Sequence, residues 1–478
     1  MDYEKFLELN KEEMIFALQD VVRSNSEESE KFMGKNGEVY PFGQGVQEAF
    51  EKVLAMGEKM GFSVKNVDNY GGHIDFVGTG PEIMGIIGHL DVVPAGSGWD
   101  FDPYGGEVAD GKIYGRGTTD DKGPVISCLY AMKALKDAGY QPPCTIRLII
   151  GLDEETHWNG MKYYFEREKR PDFGFTPDAD FPVINGEMGM LVFSFAKKFA
   201  AAQGKGLQLR SVQGGTAPNS VADSCRSVVR SEQDGAYDRI KEQVREYREE
   251  TGYKVNVKGV GKSLEITTTG IAAHGAKPDM GLNAISIMMD FLGRLNFVNE
   301  DHNDFIAFYN KHIGFCLDGE GLGIKISDEP SGTLIFNVGM IDLTPEAGKL
   351  VLNVRYPVTA DGDQILDTLG QKIEKYGMGL IRTEHKLPIY MDLDSPVVKT
   401  LMDIYQKHTG DYESIPLVIG GGTYARSTPN IIAFGAQFPG DEDLMHQKNE
   451  CLSIERFEQM TKIYAEAIYK LSSGEYNI

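Results

Sequence analysis

Apolar positions recur along this chain with two different periods, and the changes of period divide it into three stretches. In the first, residues 3–23 and 45–60 carry apolar side chains at helical spacing. MGIIGHL (84–90) and TIRLIIGL (145–152) are short continuous apolar runs, the mark of strands buried on both faces. Between them, Lys122–Ala138 has helical spacing and stops before Gly139. Residues 158–169 are expected to be helical and 173–184 extended. Strands alternating with helices predict an α/β layer with a mainly parallel sheet. After Gly186-Glu187 the period shortens to two. LVFSFAKKFA (191–200), SCRSVVR (224–230), KSLEITTTG (262–270) and KLVLNVRYP (349–357) alternate like half-exposed strands. Helices are expected near 233–250, 281–295 and 361–377. This is the pattern of an α+β unit, an antiparallel sheet with helices on one face. From about 395 the first texture returns: a helix at 395–409, a strand ending in IPLVIGGG, another at NIIAFGA, and a last helix at 454–472. The fold class expected is therefore α/β. A discontinuous, mainly parallel-sheet domain spans 1–187 and 386–478, and an α+β domain over 188–385 is inserted into it.

Several of the apolar runs end in acids or histidines. In GHLDVVPAG (88–96), His89 and Asp91 are two residues apart, so on a strand they share a face. They stand at its carboxyl end, where open α/β sheets bind ligands. GHLDVVP, YGRGTTDDKGP, GLDEETHWNG, TPDADFP and LMHQKNE supply His89, Asp120, Glu155, Asp178 and His446 as candidate metal ligands. Taken singly they are ordinary polar residues, and Asp120-Asp121 before Lys122 also suits a helix N-terminus. Two histidines and three carboxylates together suit a pair of zinc ions, one carboxylate bridging. Two such metals activate a shared water and polarise a carbonyl. Glu154, beside Glu155, is then a spare carboxylate placed to act as general base.

Composition narrows the class. The chain has 48 Lys+Arg against 71 Asp+Glu, a formal charge of −23. Such a charge argues against nucleic acid and anionic membrane as partners. The first residues alternate charge with apolar positions and contain no secretory leader pattern, and no apolar run approaches 18 residues. The five cysteines are scattered without a C-x-x-C and read as reduced thiols of a cytoplasmic protein.

HLDVVPAG followed by W-x-x-D-P, YGRGTTDDKG, the Glu-Glu pair, P-D-A and a late M-H resemble the dinuclear zinc peptidases that include aminoacylase and carboxypeptidase G. VINGEMG, LNVRYP, VIGGGTYAR and AFGAQ are most similar to the PepV-type bacterial dipeptidases among them. The resemblance runs along essentially the whole chain. It implies that the discontinuous domain is catalytic and the inserted one a lid. It implies His89 and His446 as end ligands, Asp120 as the bridge, and Glu155 and Asp178 completing two metal shells. Asp91 would fix the tautomer of His89, Glu154 would be the base, and the Asp120–Asp121 peptide would be cis. Asp178 is preferred over Asp180 on the P-D-A turn, and His157 is placed at the rim. The metals implied are two zinc ions per chain, with Mn2+ or Co2+ also suited to such nitrogen and oxygen donors.

TTTGIAAHGAKPDMGLNA (267–284) matches the family pattern H-x-x-x-P-x-x-G-x-N-A at His274, Pro278, Gly281, Asn283 and Ala284. The resemblance makes His274 a donor to the tetrahedral oxyanion, and Asn219 and Arg355 contacts to substrate. A guanidinium suits a substrate carboxylate. In IGGGTYAR (419–426) the glycines imitate a dinucleotide fingerprint. Pro429 and the extended NIIAFGA deny it the helix that such a site needs. By resemblance Gly421, Gly422, Thr423 and Arg426 face the C-terminal end of the peptide. The activity implied is hydrolysis of dipeptides with a free amino end, by a monomer since the inserted stretch is long. Removal of N-acyl groups from amino acids on the same site is the alternative.

Overall fold

The computed structural model describes residues 2–34, 37–201 and 205–474. They form two compact units. The first comprises the described residues up to Asn185, Tyr390–Leu417 and the described residues from Gly422 on; the second comprises Gly186–Ile389 and Val418–Gly421. These divisions compare with boundaries expected at 187/188 and 385/386. Residues 418–421 belong to the second unit: Ile419 accepts the Met188 amide at 2.8 Å, and a Cβ at Gly420 would lie 3.1 Å from that of Ala276.

The heart of the first unit is a run of four parallel strands, Ile431–Ala433, Phe173–Thr176, Ile83–His89 and Thr145–Gly151, side by side in that order. Antiparallel strands extend it, Gly72–Phe76 beside Thr145–Gly151 and then Ser63–Asn66. Every residue of Ile83–His89 is buried, as its unbroken apolar run requires. Helices Glu4–Val22 and Ile454–Ser473 pack into the same core, and so does Lys122–Asp137, which is buried on all sides as far as Met132. The helix expected at 158–169 is only Asn159–Phe165; at its start Asp153 accepts the Gly160 amide with both oxygens, at 3.0 and 3.1 Å.

The second unit is an eight-stranded sheet, antiparallel at every pairing, in the order 254–260, 263–269, 224–230, 208–214, 335–343, 347–356, 189–198, 379–386. Helices Ala236–Thr251, Ala284–Leu292, Glu300–His312 and Gly362–Glu374 join alternate strand residues such as Leu191, Phe193, Leu352 and Val354 in a single core. The intervening positions, among them Asn353 and Arg355, turn to the other side of the sheet. No helix among the described residues is long and apolar enough to cross a membrane, and all five cysteines are free thiols.

Candidate metal centre

The parallel strands deliver their polar residues at their carboxyl ends. Ile83–His89 ends in His89, with Asp91 two residues on. Thr145–Gly151 leads to Glu154 and Glu155, and Phe173–Thr176 to Asp178. Two loops add the rest, Asp120 before the helix Lys122–Asp137 and His446 from a turn with left-handed backbone at φ 63°.

These side chains converge. Asp120 lies between the two histidines, its Oδ1 3.0 Å from His89 Nε2 and its Oδ2 2.9 Å from His446 Nε2. Asp178 Oδ2 is 3.7 Å from His89 Nε2, and Glu155 Oε1 is 3.0 Å from His446 Nε2. His89 is wholly buried, whereas the His446 side chain is half-exposed. Asp180, the rival to Asp178, sits in the short strand Ala179–Asp180 against Ala436–Gln437. His157 is exposed.

Asp91 is 1% exposed and does two jobs. Its backbone carbonyl is 3.0 Å from His89 Nδ1 and its Oδ1 3.4 Å away. Both are acceptors, so Nδ1 carries a proton, and Nε2 is the ring nitrogen turned toward Asp120 and Asp178. The other oxygen of Asp91 accepts the Glu155 amide at 3.0 Å. Asp121 differs from the expected helix cap. It makes no side-chain capping bond; instead its Oδ2 accepts the His89 amide at 3.1 Å. Only glycine fits at position 88, since a Cβ there would lie 2.5 Å from both that oxygen and Val125 Cγ2. The Asp120–Asp121 peptide is cis.

The carboxylates and histidines of the cluster perturb one another. Burial, then the charge of Asp178, pushes Glu154 well above the ordinary carboxyl range. Burial also raises Asp178, and burial with the Asp120 charge brings Glu155 up to about 7. Hydrogen bonds to Asp120 and Glu155 push His446 up to about 11. Burial opposes charge on His89, yet its bonds to Asp120 and Asp178 raise it as well. Burial and neighbouring charge thus oppose ionisation of Glu154, Glu155 and Asp178, whereas the two histidines favour it on Asp120. Among the described residues, His89, Asp120 and Glu155 each offer one ligand atom within 4.8 Å of the others, and so do His89, Glu154 and Asp178. This donor set fits divalent cations. The second group also brings Glu154 within ligand range, which its reading as a spare base does not require.

Asn219, His274 and Arg355 lie in the second unit. His274 and Asn219 are exposed neighbours, joined where the Gly275 amide donates to the Asn219 carbonyl at 2.7 Å and Ser220 bridges to His274. Asn337, which the sequence did not mark, donates its Nδ2 to the carbonyls of Pro218 and Ser220, at 3.1 and 3.0 Å. Across the sheet Asn337 pairs with Asn353, whose Oδ1 accepts Arg355 Nε at 3.0 Å. Arg355 is 5% exposed. Of the glycine loop, Gly421 belongs to the second unit and Gly422, Thr423 and Arg426 to the first. Thr423 Oγ1 accepts the Ala425 amide at 3.1 Å and opens a four-residue turn, Tyr424–Ser427, rather than a nucleotide-binding helix.

Two layers of comparison now place the molecule. Residues 85–470 match the model of the peptidase family M20/M25/M40, and the chain belongs to that family. Membership brings dependence on a divalent metal. Among its relatives is the Bacillus subtilis (strain 168) protein named "Putative dipeptidase YtjP", 35% identical over 474 residues, covering 99% of this chain and 100% of that one. The fold is also that of human carnosine dipeptidase 1, with a TM-score of 0.58 and 16% identity over 98% of each chain. Aminoacylhistidine dipeptidase from Vibrio alginolyticus gives 0.55 and 16%, over 94% of this chain and 96% of that one.

Proposed function

We propose that this chain is a metal-dependent dipeptidase that cleaves dipeptides bearing a free amino end. The observation that carries the reading is Asp120, which sets one carboxylate oxygen against each of two histidines. That is the disposition expected of a carboxylate shared by two cations. His89 and Asp178 would hold one, His446 and Glu155 the other. Zinc is the metal proposed, with Mn2+ and Co2+ suited to the same donors. Bound there, the pair supplies Lewis acidity to the scissile carbonyl and makes water a stronger acid.

The remaining steps belong to the protein. Glu154 takes a proton from water at its carboxylate as the water oxygen bonds to the scissile carbonyl carbon, and delivers it to the amine nitrogen as the C–N bond breaks, so one group serves as base and then acid. Asp91 keeps His89 in the Nδ1–H tautomer. The roles of the other residues rest on family resemblance: His274 as an N–H donor to the oxyanion, Asn219 as a substrate contact, Arg355 as partner of the substrate carboxylate. Gly421, Gly422 and Thr423 with Arg426 would recognise the C-terminal end of the substrate. The discontinuous unit is then the catalytic domain and the inserted unit its lid.

The relative named as a dipeptidase supports peptide over N-acyl substrates. The deciding experiment is metal analysis coupled to a panel of dipeptides and N-acetyl amino acids, before and after chelation. Dipeptide hydrolysis that is lost on chelation and restored by zinc supports the reading. Preference for N-acetyl amino acids, or turnover indifferent to chelation, overturns it. The proposal includes action as a cytoplasmic monomer; a sedimentation mass near twice that of the chain would refute the monomer.

A further inference from the structure

Glu450 follows His446 by four residues and is wholly buried. Both of its carboxylate oxygens are engaged. Oε2 is 2.6 Å from Arg116 Nη1, a guanidinium itself only 2% exposed. Oε1 accepts three amides of one loop, those of Gly117 at 3.1 Å, Thr119 at 2.9 Å and Asp120 at 3.3 Å. The backbone repeats the connection: the Gly115 amide donates to the Glu450 carbonyl at 2.9 Å, and Thr119 Oγ1 to that of Cys451 at 3.3 Å. The turn before Glu450 is pinned as well. Asn449, in left-handed backbone at φ 60°, accepts the Asp100 amide at 2.8 Å and donates to the Asp100 carboxylate at 2.7 Å.

A carboxylate in such a place is costly to desolvate and persists only where its partners are complete. Successive amides turned on one oxygen form an anion-binding concavity, and here the anion is part of the chain. Its position is informative. The loop it gathers ends in Asp120, and the segment it belongs to begins with His446. The two meet across 330 residues of sequence, and at their tips Asp120 Oδ2 and His446 Nε2 are 2.9 Å apart. With both oxygens committed, Glu450 is no ligand itself.

We propose that Glu450, paired with Arg116, is a positioning residue that presets the separation of Asp120 and His446 and so sets the affinity for the cation they share. The inference rests on the reading of those two residues as metal ligands. Partners that orient metal ligands are commonly worth about 10- to 100-fold in metal affinity.

The test is zinc titration of the full-length chelated protein in competition with a chromogenic chelator. E450Q keeps the volume but turns one acceptor into a donor, facing either Arg116 or the three amides. It is expected to weaken one of the two zinc-binding events by about 10- to 100-fold, with the KM for dipeptide unchanged at saturating zinc. A purely architectural role would instead lower the unfolding temperature and leave zinc affinity at the wild-type value, and that result overturns the proposal. E450D, which keeps the charge, should recover part of the affinity. If E450Q does not fold, R116K takes its place: a weaker loss of the same event is expected, and unchanged affinity is again fatal. D120A separates the two layers. A D120A chain that binds zinc like the wild type overturns the metal-centre reading and the inference with it. Loss of zinc in D120A beside unchanged binding in E450Q overturns the inference alone.

Discussion

The candidate site residues of the two units are held in place by different chemistry. In the first unit, the supports are buried carboxylates. Glu450 with Arg116 gathers the Asp120 loop, Asp91 holds both His89 and the Glu155 amide, and Asp153 closes the turn after Glu154 and Glu155. In the second unit, neutral amides do the work. Asn337 holds the carbonyls on either side of Asn219, and Asn353 holds Arg355. The difference follows from what each region is proposed to bind. A cation site needs concentrated negative charge, and a buried carboxylate that orients a ligand also adds to the field. A region meant for a peptide has no such need of concentrated negative charge. Amides fix geometry and leave the potential alone.

This contrast is tested most severely at Glu154. The base reading and the ligand-range geometry make opposite predictions for E154Q. As base, its loss is expected to lower kcat by about a hundredfold to ten-thousandfold, with zinc content near two per chain by elemental analysis. Zinc falling to one per chain would make Glu154 a ligand and end its role as base. Next in size is Asp91. D91N replaces an acceptor with an amide whose N–H2 opposes either His89 Nδ1–H or the Glu155 amide. Zinc affinity is expected to fall about 10- to 100-fold by chelator competition. Unchanged affinity would show that the Asp91 carbonyl alone orients the ring.

The sequence made part of this design legible, and the reasons are physical. His89 and Asp91 draw attention because a buried strand does not readily accept an imidazole and a carboxylate together, although alone they also read as the polar end of a surface strand. Asp120, Glu155, Asp178 and His446 stand in compact motifs that are weak singly, and it is the family resemblance of the ordered set that implies they come together. Glu450 was in view within LMHQKNE yet carried no signal. A buried carboxylate that serves a loop 330 residues away looks like any acid after a histidine. Asn337 and Asn353 were hidden differently. In IFNVGM and LVLNVRY they occupy the alternate positions of a strand, where a polar residue ordinarily means solvent. Strand 208–214 escaped notice because a bulge between Leu209 and Ser211 breaks its alternation. Strand 254–260 alternates only over K-V-N-V-K and lies at the sheet edge with most of its residues exposed. The helix Glu300–His312 opens EDHND, with few apolar residues to mark its period.

The smallest effect expected is the one that bears most directly on the contrast. N337A removes the side-chain donor to the part-buried carbonyls of Pro218 and Ser220, and acceptors left in this way cost at most about 1–3 kcal/mol. The segment carrying Asn219, and His274 beside it, should then relax. A cost of ~1.4 kcal/mol appearing in the transition state is a tenfold fall in kcat/KM, read from initial rates on a dipeptide. Zinc affinity should stay within roughly twofold of the wild type, since separate sites without shared partners act independently. N337D sharpens the point. It occupies the same volume but offers a charged acceptor to two carbonyl oxygens, so it should be worse than alanine in kcat/KM and equally silent in zinc binding. If either variant weakens zinc binding as E450Q is expected to, the two regions are not independent in how they are built. The division between charged supports for cations and neutral supports for peptide would then have to be abandoned.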